Sequence, residues 1–295
     1  MKKQAFQVLV TCVLSMAMLS ACEKMVVSET AETGGAQNGN VVLRVSQFEQ
    51  TPFDGHSRAD VNSYCSRLCF HIYDDSGQRI VYVNQKQEDT GFGTASFSLD
   101  QGHYYLVVVG HSADSNPSFS ANEKVSISGK NLGDTFWCCE EIEVGDDEID
   151  RSLVLRRIVS MVRFIPEDEV PTAMNQMVIK YKGSRGTFSG LTGYGTTDAA
   201  QTVELNLTGD ESQYEFYLIP SDAEDLISVT VNTYSIDDEG RIKPLTVKSI
   251  TDIPVRRNCI TICRGNLFDN QSASKSVFIT VSVDGDWGEN VEMTF

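Results

Sequence analysis

The chain has 295 residues, a formal charge of −17 and 41% hydrophobic residues. That apolar fraction supports a sizeable core and excludes a disordered chain. The acidic balance argues against nucleic acid as a partner, because binding phosphates needs a basic face, and against lying flat on an anionic membrane.

The chain opens with Lys2, Lys3 and an apolar run from Ala5 to Leu19, the basic head and short greasy core of a secretory signal. The run is too short to cross a bilayer as a helix, which takes about 20 apolar residues. It ends in Leu19-Ser20-Ala21-Cys22, which resembles the bacterial lipobox. In that motif the Cys thiol is diacylated, the peptide is cut before it and the new amine is acylated. Cys22 is therefore the expected lipidation site and first residue of the mature chain. Loss of Lys2 and Lys3 with the leader takes the formal charge from −17 to −19. Residues 22–40 are polar and carry Gly34-Gly35 and Gly39, so they read as a flexible leash between lipid and fold.

Short runs rich in Val, Ile, Thr, Tyr and Phe follow, separated by turn residues. Val41–Val45 begins the folded part. Leu68–Tyr73 and Arg79–Val83 form a hairpin around Asp74-Asp75-Ser76-Gly77. Ala95–Leu99 alternates, and Tyr104–Val109 is apolar on both faces, as a central strand should be. Val125–Ser128 and Thr135–Val144 complete a first group. The run Glu140–Asp150 is densely acidic and reads as a solvated approach to a domain boundary. Beyond it Leu153–Ile165 alternates as one strand closed by Pro166. Strands over 177–181, 203–207, 214–219, 227–234, 242–250, 258–263, 277–283 and 291–295 follow, with a Gly-rich loop at Phe188–Gly195. Only Glu167–Met174 and Ser221–Leu226 offer short helical candidates. The expected architecture is all-β: a leader (1–21), a leash (22–40) and two β-sandwiches in tandem (41–150 and 151–295).

The chain has eight cysteines, six of them beyond Cys22: Cys65, Cys69, Cys138, Cys139, Cys259 and Cys263. Four residues along a strand span about 13 Å, too far for a bridge or a shared metal ion. Most of the six are expected as buried small hydrophobes, with a cross-strand bridge between the 65/69 and 138/139 pairs as the other reading. No zinc spacing is present, and the acidic run lacks the alternating ligands and glycine of a calcium loop. Gly110-His111-Ser112-Ala113-Asp114 brushes against a nucleophile elbow, but Asp114 replaces the second glycine. No convergent set of titratable residues points to an enzyme, and no cofactor or metal is implied. Trp137 and Trp287, the two tryptophans, are expected to pack in cores.

Several stretches in order resemble one family: HIYDDSGQRI, LDQGHYYLVVVGHS, GDTFWCCEEIEV, LVLRRIVSMVRFIPEDEVP, FSGLTGYG and PVRRNCITICRGNLF. The set is similar to the FimB-like fimbrial anchoring lipoproteins of Bacteroidales, which serve type V pili, and covers roughly Val41 to Phe268. The resemblance implies two transthyretin-like sandwiches and a surface-exposed lipoprotein of the outer membrane. Such a protein holds the base of the fimbrium and limits its length. Its partner would be a pilin, joined by β-strand complementation. In structural pilins an arginine-specific protease removes the first strand, whereas an anchor must keep it. The vulnerable sites here would be Arg44 and Arg58. Val277, Ile279, Val281 and Val283 alternate as a donated strand should, although an ordinary strand of the second sandwich would alternate in the same way. The other functional readings are an accessory or tip subunit of the same family and a glycan-binding surface lipoprotein, against which the low tryptophan count stands.

Overall fold

The computed structural model describes residues 39–49, 64–121, 124–128, 132–209, 211–269 and 278–282. Cys22, Arg58, Val277, Val283 and Trp287 lie outside them, as does the strand expected over 291–295. The first strands in chain order are β1 (Val41–Glu49), β2 (Arg67–Asp74), β3 (Arg79–Lys86), β4 (Thr94–Phe97), β5 (Gly102–His111), β6 (Ser118–Ala121), β7 (Lys124–Ser126), β8 (Thr135–Val144) and β9 (Ile149–Arg157). They continue with β10 (Ser160–Pro166), β11 (Gln176–Gly183), β12 (Thr187–Phe188), β13 (Ala199–Asn206), β14 (Tyr214–Leu218), β15 (Asp225–Ile236), β16 (Ile242–Val255), β17 (Ile260–Gly265) and β18 (Phe278–Ser282). The chain is all-β, as its period-2 patterning predicts, with no helix among the described residues. In place of the first helical candidate, Asp168 accepts the backbone N–H groups of Leu267, Phe268 and Asp269 at 2.7–2.9 Å. In the second, Asp225 accepts from the N–H and hydroxyl of Ser221 and closes a turn.

Seven strands form one sheet in the order β3-β2-β5-β8-β9-β1-β4. It encloses its own core, where Leu68, Phe70, Ile72, Leu106, Phe136, Leu153 and Leu155 are buried. Its two end strands meet through a side chain. Gln85 on β3 donates to the Thr94 carbonyl on β4 (2.6 Å) and accepts from the Gly93 N–H (3.0 Å). This buried amide covers edges that would otherwise stay unpaired. Two four-stranded sheets, β14-β10-β17-β18 and β13-β11-β15-β16, hold a second core around Phe164, Ile179, Phe216 and Val231. A third cluster joins β5 and β8 of the large sheet to β10 and β17, through Val107, Val109, Trp137, Met161, Ile260 and Ile262. The small sheet β12-β7-β6 adds Val125 and Phe188 to it.

Two details depart from the sequence expectation. The run Leu153–Ile165 is two strands, with a break at Ile158-Val159. There Ile158 N–H donates to the Thr135 carbonyl (3.0 Å) and Asn258 N–H donates to the Val159 carbonyl (2.9 Å). The residues up to Arg157, expected to open the second sandwich, pair with β1 and β8 in the large sheet. The acidic run is also mostly strand. Ile142 and Val144 are buried between exposed Glu141 and Glu143, so its charges sit on the wet face of β8.

At the break, Arg157 is 5% exposed. Its Nε and Nη2 donate to the Asp134 carboxylate (both 2.7 Å), Nη1 donates to Asn258 Oδ1 (2.8 Å), and its guanidinium lies 5.0 Å from the Phe136 ring centre. The Gly-rich loop docks alongside. Trp137 Nε1 donates to the Gly190 carbonyl (2.7 Å), and a Cβ on Gly193 (φ +69°) would come within 2.9 Å of the indole. The expectation for Trp137 holds.

All six cysteines among the described residues are free thiols, five buried and Cys139 half-buried. Burial pushes Cys65, Cys69 and Cys263 up to about 12, so they stay protonated and pack as apolar groups. The bridge considered between the 65/69 and 138/139 pairs does not form, because β5 intervenes. Cys69 pairs with Val109, and Cys138 pairs with Val108 on that strand's other side.

Removing one partner of a buried ion pair leaves a charge uncompensated, at a cost of about 3–5 kcal/mol. Asp134→Ala is expected to destabilise the fold by that amount in urea unfolding, far more than Arg44→Ala at an exposed pair. Burial also drives His71 down to about 3 and His111 down to about 4 from 6.5, so both fold neutral. Unfolding lets them take up protons, so the stability they contribute is complete above about pH 6.5 and is lost as the pH falls toward about 4. A urea midpoint followed across that window should fall with pH, and His71→Leu should flatten the slope. An unchanged slope would assign the acid loss to other groups.

Candidate functional site

The first strand of the described residues is β1, which follows the segment expected to be a leash. It lies between β9, to which it is parallel, and β4, to which it is antiparallel. Val41, Leu43 and Val45 alternate into the core. Ser46 is then an extra residue in the β9 ladder, where the register moves from Val45↔Leu153 to Gln47↔Val154. That bulge resets the period, so Phe48 also points inward. All four side chains are at most 6% exposed. Phe48 stacks on Tyr64 (ring centres 5.0 Å) and meets Phe136 edge-on (4.8 Å).

The entry to the strand is fixed by two residues that sequence reasoning left in the leash. Asn40 Nδ2 donates to the Leu99 carbonyl (2.8 Å), and its Oδ1 accepts from the Leu99 N–H (2.9 Å). The side chain thus extends the ladder beyond β4. Gly39 passes so close to β4 that a Cβ would sit 2.3 Å from the Phe97 carbonyl oxygen. Neither has a strong signal in sequence, since Asn and Gly are ordinary linker residues. On the outer face Arg44 pairs with Asp150, with side chains 46% and 62% exposed. Such a surface pair contributes at most about 1 kcal/mol, so it marks register more than it adds stability.

Burying the four apolar side chains contributes about 1.5–3 kcal/mol each. Their sum, about 6–12 kcal/mol, is of the size of a whole domain's net stability, about 5–15 kcal/mol. The fold therefore cannot lose β1 unless another strand fills its place.

The second sequence-derived segment lies elsewhere. Ile279 and Val281 are on β18, at the edge of its sheet, paired with Cys263 and Thr261 of β17. The structure does not bring them near β1, and Val277, Val283 and Cys22 fall outside the described residues. The Gly110–Asp114 stretch is a structural corner. His111 Nδ1 accepts from the Ala113 N–H (3.1 Å), while Arg67 donates to the carbonyls of Ala113 and Asp114. Among the described residues, no three His, Cys, Asp or Glu side chains converge as metal ligands do.

Residues 32–294 match a family model described as a family of unknown function, DUF6562. No curated protein matches the chain. Several solved structures are similar. A candidate adhesin from Bacteroides thetaiotaomicron aligns at 12% identity with a TM-score of 0.50, over 87% of this chain and 98% of that one. A candidate polysaccharide-binding protein of the same organism aligns at 10% identity and 0.50, over 85% and 98%. The fimbrial anchor protein Mfa2 of Porphyromonas gingivalis aligns at 13% identity and 0.47, over 84% and 97%. At these identities the likeness to the first two shows a shared fold.

A protease needs an extended segment free of its neighbours, and Arg44 is ladder-paired on both sides. Trypsin is expected to leave the Arg44–Val45 bond intact in native buffer and to cut it only in denaturant, read by mass spectrometry of the large fragment. Release of β1 under native conditions would mean that the strand is detachable.

Proposed function

We propose that this chain, which belongs to the DUF6562 family of unknown function, is a lipid-anchored, non-enzymatic subunit that attaches a fimbrium to the outer membrane. The observation that carries this reading is β1, the first strand after the leash from Cys22, held between β9 and β4 by a ladder on each side and by buried Val41, Leu43, Val45 and Phe48. An anchor has to keep its first strand, because losing it severs the lipid. The fold shared with a candidate adhesin is in keeping with a role at the cell surface. The FimB-like resemblance of the ordered motifs supplies the filament as the partner.

In this reading the protein's own groove is sealed by its own first strand, and the filament is met at the other end of the chain. The two C-terminal strands read from sequence, the one carrying Val277, Ile279, Val281 and Val283 and the one expected over 291–295, are the proposed contact with the pilin. β18 is an edge strand, and its side away from β17 has no partner among the described residues. An open edge of this kind is the usual template for strand addition.

Cys22→Ala should shed assembled fimbriae into the medium without abolishing assembly, scored by immunoblot of cells and supernatant. Deleting Asp284–Phe295 should leave a folded, cell-bound protein that no longer retains fimbriae. Fimbriae that stay attached in the first variant would reduce the lipid to an address label, and in the second would remove the C-terminal contact. An accessory or tip subunit predicts instead a mature N-terminus after Arg44 or Arg58, which N-terminal sequencing reads directly.

A further inference from the structure

The small sheet β12-β7-β6 packs on the outer face of the large one, and β6 is its edge strand. The sheet is slight, with strands of two, three and four residues. Its β6–β7 ladder slips at Ser120, between the pairs Phe119↔Val125 and Ala121↔Lys124. β6 reads Ser118-Phe119-Ser120-Ala121, so Phe119 is its one large apolar side chain. β7 is held better, since it lies in the middle of the sheet and Val125 is fully buried. A short, bulged edge ladder with little apolar burial belongs to the low end of local stability.

What Phe119 covers is a histidine. His71 on β2 is 2% exposed, and the Phe119 ring lies flat on its imidazole, with ring centres 3.5 Å apart and planes within 17°. Tyr82 and Tyr73 stand near it, with ring centres at 5.2 and 6.4 Å, and Val107 of β5 is its partner on the other side. The Asn84 carboxamide lies close by, yet neither ring nitrogen makes a hydrogen bond of normal geometry. β5 and β6 bring no charge to the ring, and Tyr73 stays a neutral phenol, pushed up to about 12 by burial. The charge that acts on the imidazole is that of Arg79, which sits 4.5 Å from the Tyr82 ring centre, and no carboxylate offsets it among the described residues. A phenylalanine would fill the same space without leaving buried polar atoms unmet. We propose that β6 is an acid-sensitive cover, which unpairs from β7 and lifts Phe119 away when His71 takes up a proton. With the cover off, the imidazolium reaches water, and β2 and β3 present His71, Tyr73 and Tyr82 as an aromatic face that is shut at neutral pH. The device is separate from β1 and β18, so its test stands apart from the anchoring reading.

Burial holds the covered imidazole down to about 3, against 6.5 in water. The advantage of the closed form is therefore complete above about pH 6.5 and shrinks as the pH falls toward about 3. Opening should become about thirtyfold more frequent between about pH 8 and about pH 5. Hydrogen exchange of the whole protein, corrected for the intrinsic pH dependence of amide exchange, should show that loss of protection in the β6–β7 ladder while β5 and β8 keep theirs. His71→Phe keeps a ring under Phe119 and removes the titration, so its ladder should be equally protected at both pH values. Phe119→Ala should loosen the ladder at both and bring the His71 titration, followed by NMR, up toward 6.5. A ladder as well protected in acid as at neutral pH, or a His71 titration unmoved by Phe119→Ala, would overturn the proposal. So would an acid loss that persists in His71→Phe, which would assign it to His111 at the corner before β6.

Discussion

The fold depends on what happens where the chain leaves the large sheet. Between β9 and β10 the backbone turns out of one ladder and into another, and Arg157 stands at that point with its charge almost out of water. A guanidinium can be held there only if its donors are met, and they are met from both directions. Asp134 precedes β8 of the large sheet, while Asn258 precedes β17 of the four-stranded sheet. Asn258 adopts φ 57°, a conformation that Asn tolerates better than most residues and that lets its own N–H reach the Val159 carbonyl. The polar cluster fixes one arrangement of the sheets, and the apolar cluster around Trp137, Met161 and Ile262 supplies the area.

The first strand shows the same division between polar groups that set geometry and apolar groups that set energy. Asn40 and Arg44 define where β1 starts and which residues it faces, through bonds that each contribute little. Val41, Leu43, Val45 and Phe48 make the strand costly to remove. A pull on the N-terminal end of β1 would have to break pairing on both sides and expose the core residues together. The buried thiols and histidines belong to the same interior, and burial holds Cys69 protonated and His71 neutral.

Much of the fold was legible from local pattern. The strands around Tyr104–Val109, the hairpin at Asp74–Gly77 and the absence of helices among the described residues follow from period-2 alternation and turn chemistry, which act over a few residues and do not need the rest of the chain. The expectation of a leader and of lipidation at Cys22 rests on the same kind of short-range pattern. Leu153–Ile165 shows where pattern stops. Its alternation continues across Ile158-Val159, because both residues are buried, and nothing in the run says that its halves belong to different sheets.

Tertiary structure decided what depends on residues far apart in sequence. Gln85 closing the large sheet onto Thr94, Asn40 bonding Leu99 and Arg157 meeting both Asp134 and Asn258 are polar pairings at separations that no local period encodes. In sequence the glycines of the Phe188–Gly195 stretch mark only a loop, whereas Gly193 is held against Trp137 because any side chain there would strike the indole. The sequence by itself determined the class of fold and most of its longer strands, since these follow from which residues avoid water and at what period. Sheet membership, the sealed position of β1 and the unpaired ring nitrogens of His71 were settled only by packing, where buried polar groups either find a distant partner or go without.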